Sequence, residues 1–286
     1  MIVNTGDDRE FYGVHVSPDV DIVLYSLAGV VHQTHGFGLE GDSFHIVDRL
    51  AQLGHETWFR LGDRDFAQCL HRSLALQAGH SLCDITDALR RSLDVAPRIL
   101  PMSDDPCPTH VELSDGRVLH FEEYLVREGS PDTVKSVDLG ANHGAHPAPG
   151  LLEALAEAET VVLCPSNPVV SIGPILALPG VRDALARTQA PVIAISPLIG
   201  GAPVKGPADR LLRGTGHEVS ARGVADLYRD FLDGIIIDER DEKLASSIEA
   251  TGIRTAVMDT LMKTPEIAAS ISREALRLAD AVRSAS

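Results

Sequence analysis

The sequence predicts an α/β fold with a Rossmann-like, doubly wound and mainly parallel sheet. From residue 150 onward, helix-like and strand-like segments alternate. Two of the strand-like segments contain the nearly continuous apolar runs VIAIS and GIIID, as expected where helices cover both faces of a parallel sheet. The predicted strands are 160–164, 191–196, 234–238 and 254–259, and the predicted helices are 150–159, 180–187, 224–232, 243–251 and 264–283.

The N-terminal half is predicted to add a helical lobe, inserted on the sheet at about 36–95. An apolar opening strand at 1–3 and a buried helix at 19–31 precede this lobe. The lobe helices are predicted at 43–53, 67–78 and 84–93, with Ser81 as the apparent cap of the last one.

A β-hairpin region is predicted at about 98–128. Segments 98–102, 110–113 and 118–126 have strand character, and 114–117 reads Ser-Asp-Gly-Arg, which is typical of a turn. At this length we expect the lobe, the hairpin region and the α/β half (150–286) to form a single domain over 1–286.

The composition limits the classes of partner. Lys and Arg total 25 against 41 Asp and Glu, which gives a formal net charge of -16. This balance argues against nucleic-acid and anionic-membrane partners, since both favour a basic face. The four cysteines form no Cys-x-x-Cys pair, so neither a disulfide framework nor a zinc ribbon is predicted. Because no signal peptide or long apolar run stands out, we expect a cytoplasmic protein.

A polar cluster at 4–8 follows the opening strand and ends in two adjacent carboxylates, Asp7 and Asp8. Ligands of open parallel sheets bind at the carboxyl ends of the strands. Carboxylates are hard oxygen ligands of the kind that Mg²⁺ accepts beside substrate phosphates. The alternative interpretation is a turn with an Asp helix cap.

Two further clusters follow strands of the C-terminal half. Ser166 and Asn167 lie between two prolines and offer a hydroxyl, an amide and backbone N–H groups to a phosphate or nucleotide. In the segment 196–210, Gly200 and Gly201 let the backbone approach an anion, and Lys205 adds positive charge. The spacing is not that of a Walker A loop. The alternatives are a proline-rich turn and a surface lysine in a flexible loop.

A fourth cluster, at 58–65, combines Trp58 and Phe59 with several Arg and Asp residues, among them Arg60. An aromatic pair beside charged groups suits a ligand with a flat ring and a polar chain. The alternative is a solvated ion-pair network around a core tryptophan.

Taken together, these strings resemble the 2-phospho-L-lactate transferase family of coenzyme F420 biosynthesis. Any single string is weak, but they occur in family order over nearly the whole chain. The matching strings are VNTGDD (3–8), SPDVD (17–21), WFRLGDRD (58–65), LPMSDDP (100–106), CPSNPVVSIGPIL (164–176), SPLIGGAPVKGPADR (196–210) and MDTLM (258–262).

The resemblance implies transfer of a 2-phospholactyl group, or of a phosphoenolpyruvyl group in some members, from a guanosine diphosphate-linked donor. The acceptor would be a hydroxyl of the deazaflavin Fo, and GMP would leave with the help of Mg²⁺. The sequence does not decide between the two donors, which differ by two hydrogens. The resemblance and the apolar helices also suggest a homodimer.

The resemblance assigns roles residue by residue. Asp7 and Asp8 are the expected catalytic residues, which would hold Mg²⁺ or orient the acceptor hydroxyl. Asp21 and Arg60 fall on Fo-binding positions. The expected donor- and phosphate-binding residues are Ser166, Asn167, Gly200, Gly201 and Lys205.

The chain departs from the family pattern at its start. Family members begin with a strand and a Gly-Gly-x-Gly-Gly-Ala-Lys loop before the Thr-Gly-Asp-Asp string, about thirty residues on the scale of a βα unit. That strand and glycine-rich loop are missing here, and we expect a start placed too late rather than an impaired protein.

The alternative function is a non-catalytic regulator on the same fold that binds a nucleotide or sugar phosphate. Regulators of this kind carry an Asp-Asp-Gly-Gly-Ser-Ser string. Here Asp8 is followed by Arg9, Glu10 and Phe11, which counts against this alternative.

Overall fold

The structure is a computed structural model, which describes residues 1–34 and 36–284. Parallel strands occur in both halves of the chain. The chain divides into two units, and each contains its own parallel strands. The first unit comprises 1–110, 118–130 and 138–151, and the second comprises 111–117, 131–137 and 152 onward.

The first unit begins with a short parallel pair of strands. Strand β1 pairs with β4, so that Ile2 lies opposite Leu100. Strands β2 and β3 form an antiparallel hairpin, and its turn places Tyr12 and Gly13 at φ of 54° and 78°. The sequence interpretation missed this hairpin. The elements are β1 (Ile2–Val3), β2 (Arg9–Phe11), β3 (Val14–Val16), α1 (Pro18–Leu27), α2 (His45–Gln52), α3 (Asp63–Gln77), α4 (Leu82–Ser92) and β4 (Leu100–Pro101).

Three helices, α2 to α4, fall in the segment predicted as a helical lobe. The predicted cap of the last one is confirmed, because the Ser81 side chain accepts a hydrogen bond from the Asp84 N–H. That the segment forms a separate lobe, and that the chain is a single domain, stay predictions.

The predicted hairpin turn at 114–117 is confirmed, but its second strand is shorter than expected. Strands β5 (Thr109–Leu113) and β6 (Val118–His120) are neighbours, and β7 (Val134–Leu139), which was not predicted, lies on the other side of β5. The predicted strand character at 121–126 is wrong, because a π-helical turn occupies Glu123–Arg127. Phe121 and Tyr124 are both buried at a spacing of three residues, which a helix brings to one side and a strand does not.

The second unit contains a four-stranded parallel sheet, and this confirms the predicted fold class. The strand order is β13-β12-β9-β8, and Gly234 lies opposite both Ile193 and Arg254. The remaining elements are α5 (Leu151–Ala156), β8 (Val161–Leu163), α6 (Gly173–Ala177), α7 (Val181–Arg187), β9 (Val192–Ile195), β10 (Leu198–Ile199), β11 (Ala202–Pro203), α8 (Ala208–Gly214), α9 (Ala221–Leu227), β12 (Gly234–Asp238), a 3₁₀ helix (Glu239–Leu244), α10 (Ala245–Glu249), β13 (Arg254–Met258) and α11 (Pro265–Arg283).

Helix α11 covers the central strands of this sheet. Its buried residues Ile271, Ala275 and Leu278 belong to one hydrophobic cluster with Ile193 and Ile236. A Cβ on Gly234 would lie 2.9 Å from Leu278 Cδ2 and 3.0 Å from Ile193 Cδ1, so a side chain there would displace the ends of these two residues. All residues of β9 and β12 are buried, which explains why their sequences are apolar runs rather than alternating patterns. In the part of the chain that the structure describes, no helix has both the length and the apolar character needed to cross a membrane.

An aromatic cluster packs against the β2–β3 hairpin. The rings of Phe11 and Phe59 stack with centroids 3.9 Å apart, and Trp58 meets Phe11 edge-on at 5.3 Å. The Tyr12 hydroxyl donates a hydrogen bond to the Phe59 carbonyl at 2.5 Å. Residues 58–59 therefore hold the hairpin that begins directly after Asp8.

A buried ion pair joins helices α1 and α3. The Arg72 guanidinium is fully buried and donates to the Asp21 carboxylate, which also accepts from Gln68 Nε2 at 2.7 Å. Arg72 Nη1 donates to the His15 carbonyl at 3.3 Å. Removing one partner of such a pair leaves the other charge buried and uncompensated.

We expect Arg72→Met to lower the free energy of unfolding by about 3–5 kcal/mol, because Asp21 loses its countercharge in a buried site. The measurement is urea unfolding at neutral pH. Arg91→Met is the matched control, since Arg91 is an exposed α4 residue that pairs with Asp87. Equal losses in the two variants would contradict a stabilising role for the buried pair.

Candidate active site

The loop from Asn4 to Asp8 lies at the carboxyl end of β1, as predicted. Its conformation is fixed by hydrogen bonds from the Asp8 N–H to the Thr5 carbonyl at 3.2 Å and from the Gly6 N–H to Asn4 Oδ1 at 2.8 Å. Thr109 N–H donates to the Gly6 carbonyl at 2.7 Å. The loop is therefore tied into the unit, with Asn4 and Thr5 buried.

Asp7 is a buried carboxylate that lacks a full set of donors. It is 6 % exposed, and its Oδ1 has no hydrogen-bond partner among the described residues. Burial raises the pKa of Asp7 well above its ordinary value, the negative charges of Asp19, Glu122 and Asp8 raise it further, and the Asn4 amide opposes them. A carboxylate in this state is costly unless it is protonated or meets a cation.

Asp19 and Glu122 bring two further carboxylates to the same place. Asp19, in the first turn of α1, accepts a hydrogen bond from Asn4 Nδ2 at 2.7 Å. Burial raises the pKa of Asp19 to about 6. The hydrogen bond from Asn4 lowers this pKa, and the negative charge of Asp8 raises it further. Burial, and to a smaller extent the negative charge of Asp19, raises the pKa of Glu122 to about 7, while the positive charge of Arg9 lowers it. We call Asp7, Asp8, Asp19 and Glu122 the acid cluster.

Asp8 differs from the other members because donors hold both of its oxygens. Ser17 Oγ donates to Asp8 Oδ1 at 2.7 Å, and His15 Nε2 lies 3.0 Å from Asp8 Oδ2. Burial raises the pKa of Asp8, while His15, Ser17 and Arg72 oppose the shift. The carboxylate therefore has a fixed orientation.

The acid cluster has the negative charge and the oxygen atoms that a hard divalent cation attracts. Its carboxylates repel one another in a buried place, and Asp7 Oδ1 still lacks a partner among the described residues. Oxygen ligands of this kind suit Mg²⁺, whose charge would relieve the repulsion. Among the described residues, the ligand atoms that lie within 4.8 Å of one another belong to a different group, Asp21, Asp65 and Cys69. In that group Arg72 already neutralises Asp21, so the need for a cation is smaller there.

The two predicted Fo-binding residues lie in different surroundings. Asp21 is buried on α1 and binds Arg72 and Gln68. Arg60 is exposed, pairs with Asp48 at 2.7 Å, and lies 4.7 Å from the ring centroid of Phe44. Their role in binding Fo stays a prediction.

The predicted donor-side residues all lie in the second unit. Ser166 and Asn167 follow β8, and Gly200, Gly201 and Lys205 follow β9. Because β8 and β9 are neighbouring parallel strands, their carboxyl ends meet at one edge of the sheet. The predicted donor-binding residues therefore lie at the carboxyl-terminal edge of this sheet, where ligands of open parallel sheets bind.

Side-chain and backbone groups hold these donor-side turns in place. Asn167 Oδ1 accepts hydrogen bonds from the N–H groups of Val169 and Val170, at 3.0 and 3.4 Å. Gly200 and Gly201 form the turn between β10 and β11 at φ of 61° and 77°, and Gly200 N–H donates to buried Asp241 Oδ2 at 2.8 Å. Positive φ at two successive positions is the conformation that a type I′ hairpin turn requires.

Sequence reasoning missed two members of the acid cluster. Asp19 lies in the string 17–21 that contributed to the resemblance, two residues before Asp21. This second acidic residue in the string was the signal that could have identified it. Glu122 had no signal, because its segment was interpreted as a strand and only the helical turn after β6 buries it. Asp241 was also missed, since nothing in a run of charged residues distinguishes the one that supports Gly200.

The fold and these features are those of an α/β protein that binds ligands at the carboxyl ends of its strands. A carboxylate cluster follows the parallel pair β1–β4, and turns that contain glycine and asparagine follow the parallel pair β8–β9. Comparisons with known proteins narrow this class. The model of the family described as 2-phospho-L-lactate transferase CofD matches residues 1–274.

Two groups of relatives carry different names. The chain is 46 % identical over 289 residues to the phosphoenolpyruvate transferase of Kitasatospora aureofaciens, which covers 99 % of this chain and 90 % of the relative. It is 41 % identical over 267 residues to the 2-phospho-L-lactate transferase of Methanosarcina mazei, with coverage of 93 % and 87 %. The chain is also similar to the crystal structure of a upf0052 family protein from Bacillus halodurans, with a TM-score of 0.63 at 17 % identity. The match covers 96 % of this chain and 89 % of that protein, and at this identity it shows a similar fold only.

The chain belongs to the 2-phospho-L-lactate transferase CofD family. The predicted family and the predicted class of enzyme, a transferase, are confirmed. The assignment also supports a place in coenzyme F420 biosynthesis. It favours the transferase over the non-catalytic regulator that the sequence left as an alternative.

If the acid cluster attracts a cation, neutralising one member should raise the thermal stability without metal and reduce the stabilisation that metal brings. We expect Asp19→Asn to raise the Tm in EDTA, because one repulsion is removed and the bond from Asn4 can be kept. Mg²⁺ should raise the Tm of the wild type more than that of the variant, since only binding to the native state stabilises it.

The matched control for this experiment is Asp94→Asn, an exposed residue at φ 53°, a conformation that asparagine tolerates. Its Tm should respond to Mg²⁺ as the wild type does. An equal response of Asp19→Asn and the wild type would exclude Asp19 from the cation site.

Proposed function

We propose that this transferase moves a phosphoenolpyruvyl or 2-phospholactyl group from a guanosine diphosphate-linked donor to a hydroxyl of the deazaflavin Fo, and that GMP is released. The observation that carries the proposal is the acid cluster at the end of β1 in a chain of this family. The higher identity to the relative named for phosphoenolpyruvate favours that group as the one transferred.

The reaction exchanges one phosphorus–oxygen bond for another. The acceptor hydroxyl attacks the phosphorus that carries the transferred group, the bond from this phosphorus to the GMP oxygen breaks, and the hydroxyl proton leaves. Catalysis of this kind depends on in-line placement and on stabilisation of charge at the phosphate oxygens, with little covalent work by the protein. No nucleophilic side chain is required.

Within the acid cluster, we assign the cation to Asp7, Asp19 and Glu122, and the acceptor hydroxyl to Asp8. Bound Mg²⁺ would supply charge neutralisation at the phosphate oxygens. Asp8 is held by Ser17 and His15, so its carboxylate can orient the hydroxyl and receive its proton. Arg72 adds positive charge near Asp8 and limits the rise of its pKa.

On the donor side, we assign the diphosphate of the guanylated donor to Ser166, Asn167, Gly200, Gly201 and Lys205. The turn between β10 and β11 exposes backbone without side chains at Gly200 and Gly201, which suits close approach of a diphosphate. Lys205 is exposed and supplies positive charge two residues after β11. We also propose that the protein acts in the cytoplasm and as a homodimer.

The proposal is tested first at Asp7. We expect Asp7→Asn to abolish turnover of Fo with either guanylated donor in the presence of Mg²⁺, because the variant loses a carboxylate from the cation site. Its far-ultraviolet circular dichroism should match that of the wild type, and Asp94→Asn should keep full activity. Full turnover by Asp7→Asn would refute the assigned role.

A second test separates the donor from the acceptor. We expect Lys205→Ala to raise the KM for the guanylated donor by about tenfold, equivalent to about 1.4 kcal/mol, because one charged contact to the diphosphate is lost. The KM for Fo should not change. Lys243→Ala, another exposed lysine of the second unit, is the control. A donor KM that is the same in both variants would reject the placement of Lys205.

A further inference from the structure

A pocket of about 410 Å³ opens beside Asp8 in the first unit. Its lining includes Arg9, His110, Val118 and His120. The volume lies within the range of about 300–1,000 Å³ that is typical of small-molecule sites. The function assigned above to Asp8 does not use the groups on the other walls of this pocket.

His120 places a hydrogen-bond donor in the pocket wall. The residue is 7 % exposed, and its Nδ1 accepts a hydrogen bond from the Glu122 N–H at 3.2 Å, so the proton of the neutral ring is on Nε2. Nε2 has no hydrogen-bond partner of good geometry within the described residues, and a polar group of the protein near the ring is the main chain of Asp8, which lines the pocket.

Arg9 supplies a second donor to the same pocket. Its Nη2 donates to Glu123 Oε1 at 3.1 Å, and its guanidinium carbon lies 5.5 Å from the ring centroid of Phe11. Its Nη1 is buried and finds no acceptor in the described part of the chain. A buried donor without an acceptor is unfavourable, because it has lost its hydrogen bonds to water. Two such donors therefore indicate that a ligand provides the acceptors.

The charges and walls of the pocket favour a neutral, flat ligand over an anion. The positive charge of Arg9 is paired with Glu123, and Asp8 adds a negative charge. The rings of His110 and His120 lie 5.7 Å apart at an interplanar angle of 89°, and Val118 adds an apolar surface. Carbonyl oxygens on a planar ring would accept from both donors without bringing a further negative charge.

We propose that this pocket binds the carbonyl-bearing edge of a flat heterocyclic ring, with His120 Nε2–H and Arg9 Nη1–H donating to a carbonyl oxygen and to a second acceptor, an oxygen or a ring nitrogen, on the same edge. The inference rests on the proposed function, because two of its ligands carry such an edge. These are the deazaflavin ring of Fo and the guanine ring of the donor.

The test measures binding of each ring separately to the full chain. His120→Asn removes the Nε2–H donor and keeps an acceptor for the Glu122 N–H. Fo binding is followed by quenching of deazaflavin fluorescence, and GMP binding by titration calorimetry. We expect the Kd of one ring to rise about tenfold, or about 1.4 kcal/mol, and the Kd of the other ring to stay unchanged. A rise for Fo assigns the deazaflavin to the pocket, and a rise for GMP assigns guanine.

Two further variants make the result decisive. Arg9→Lys keeps the charge opposite Glu123 but loses the second N–H group of the guanidinium, so it should weaken the same ring as His120→Asn does. If His120→Asn fails to fold, this variant decides. His71→Asn, at an exposed position of α3, is the matched control and should bind both rings as the wild type does.

The possible failures are distinguishable. Wild-type affinity for both rings in His120→Asn and Arg9→Lys would overturn the pocket assignment and leave the proposed function standing. A wild-type protein that binds neither Fo nor GMP would overturn the proposed function, and the pocket assignment with it.

Discussion

The repulsion among buried carboxylates is the constraint on which the candidate site depends. Asp7, Asp19 and Glu122 lie where water is largely excluded. The pKa of each is raised by burial and by the negative charge of at least one neighbouring carboxylate. Such a cluster is unfavourable for the protein alone and becomes favourable when a cation or protons compensate it. The surrounding structure keeps the carboxylates together in spite of this cost. Asn4 bonds Asp19 and the N–H of Gly6, and Ser17 and His15 fix Asp8.

The two units place different chemistry at the carboxyl ends of their parallel strands. In the first unit, β1 leads into the acid cluster. In the second, β8 and β9 lead into turns whose backbone groups and small residues suit a phosphate. Parallel strands favour this arrangement because every strand ends at the same edge of its sheet and continues into a loop that can vary without disturbing the core. The buried runs of β9 and β12 illustrate the division of roles, since they carry packing and no chemistry.

The sequence was most informative where one local pattern decides the structure. The apolar runs predicted β9 and β12, and β12 has the predicted bounds, 234–238. The Ser81 cap and the turn at 114–117 also rest on short-range chemistry. The sequence was less informative where distant contacts decide. Glu122 joins the acid cluster only because the chain turns helical after β6, and the β2–β3 hairpin has a Tyr-Gly turn without the usual asparagine or aspartate. The fully buried state of Arg72 depends on Asp21, which is 51 residues away in sequence.

The Tyr12 hydrogen bond to Phe59 has a consequence for how substitutions in this chain combine. A tyrosine at positive φ is an uncommon and strained choice, and it persists here with its hydroxyl anchored on a segment 47 residues further along the chain. The aromatic pair at 58–59 and the hairpin that leaves Asp8 thus form one packed block. A substitution in one part of this chain therefore changes the effect of a substitution in the other.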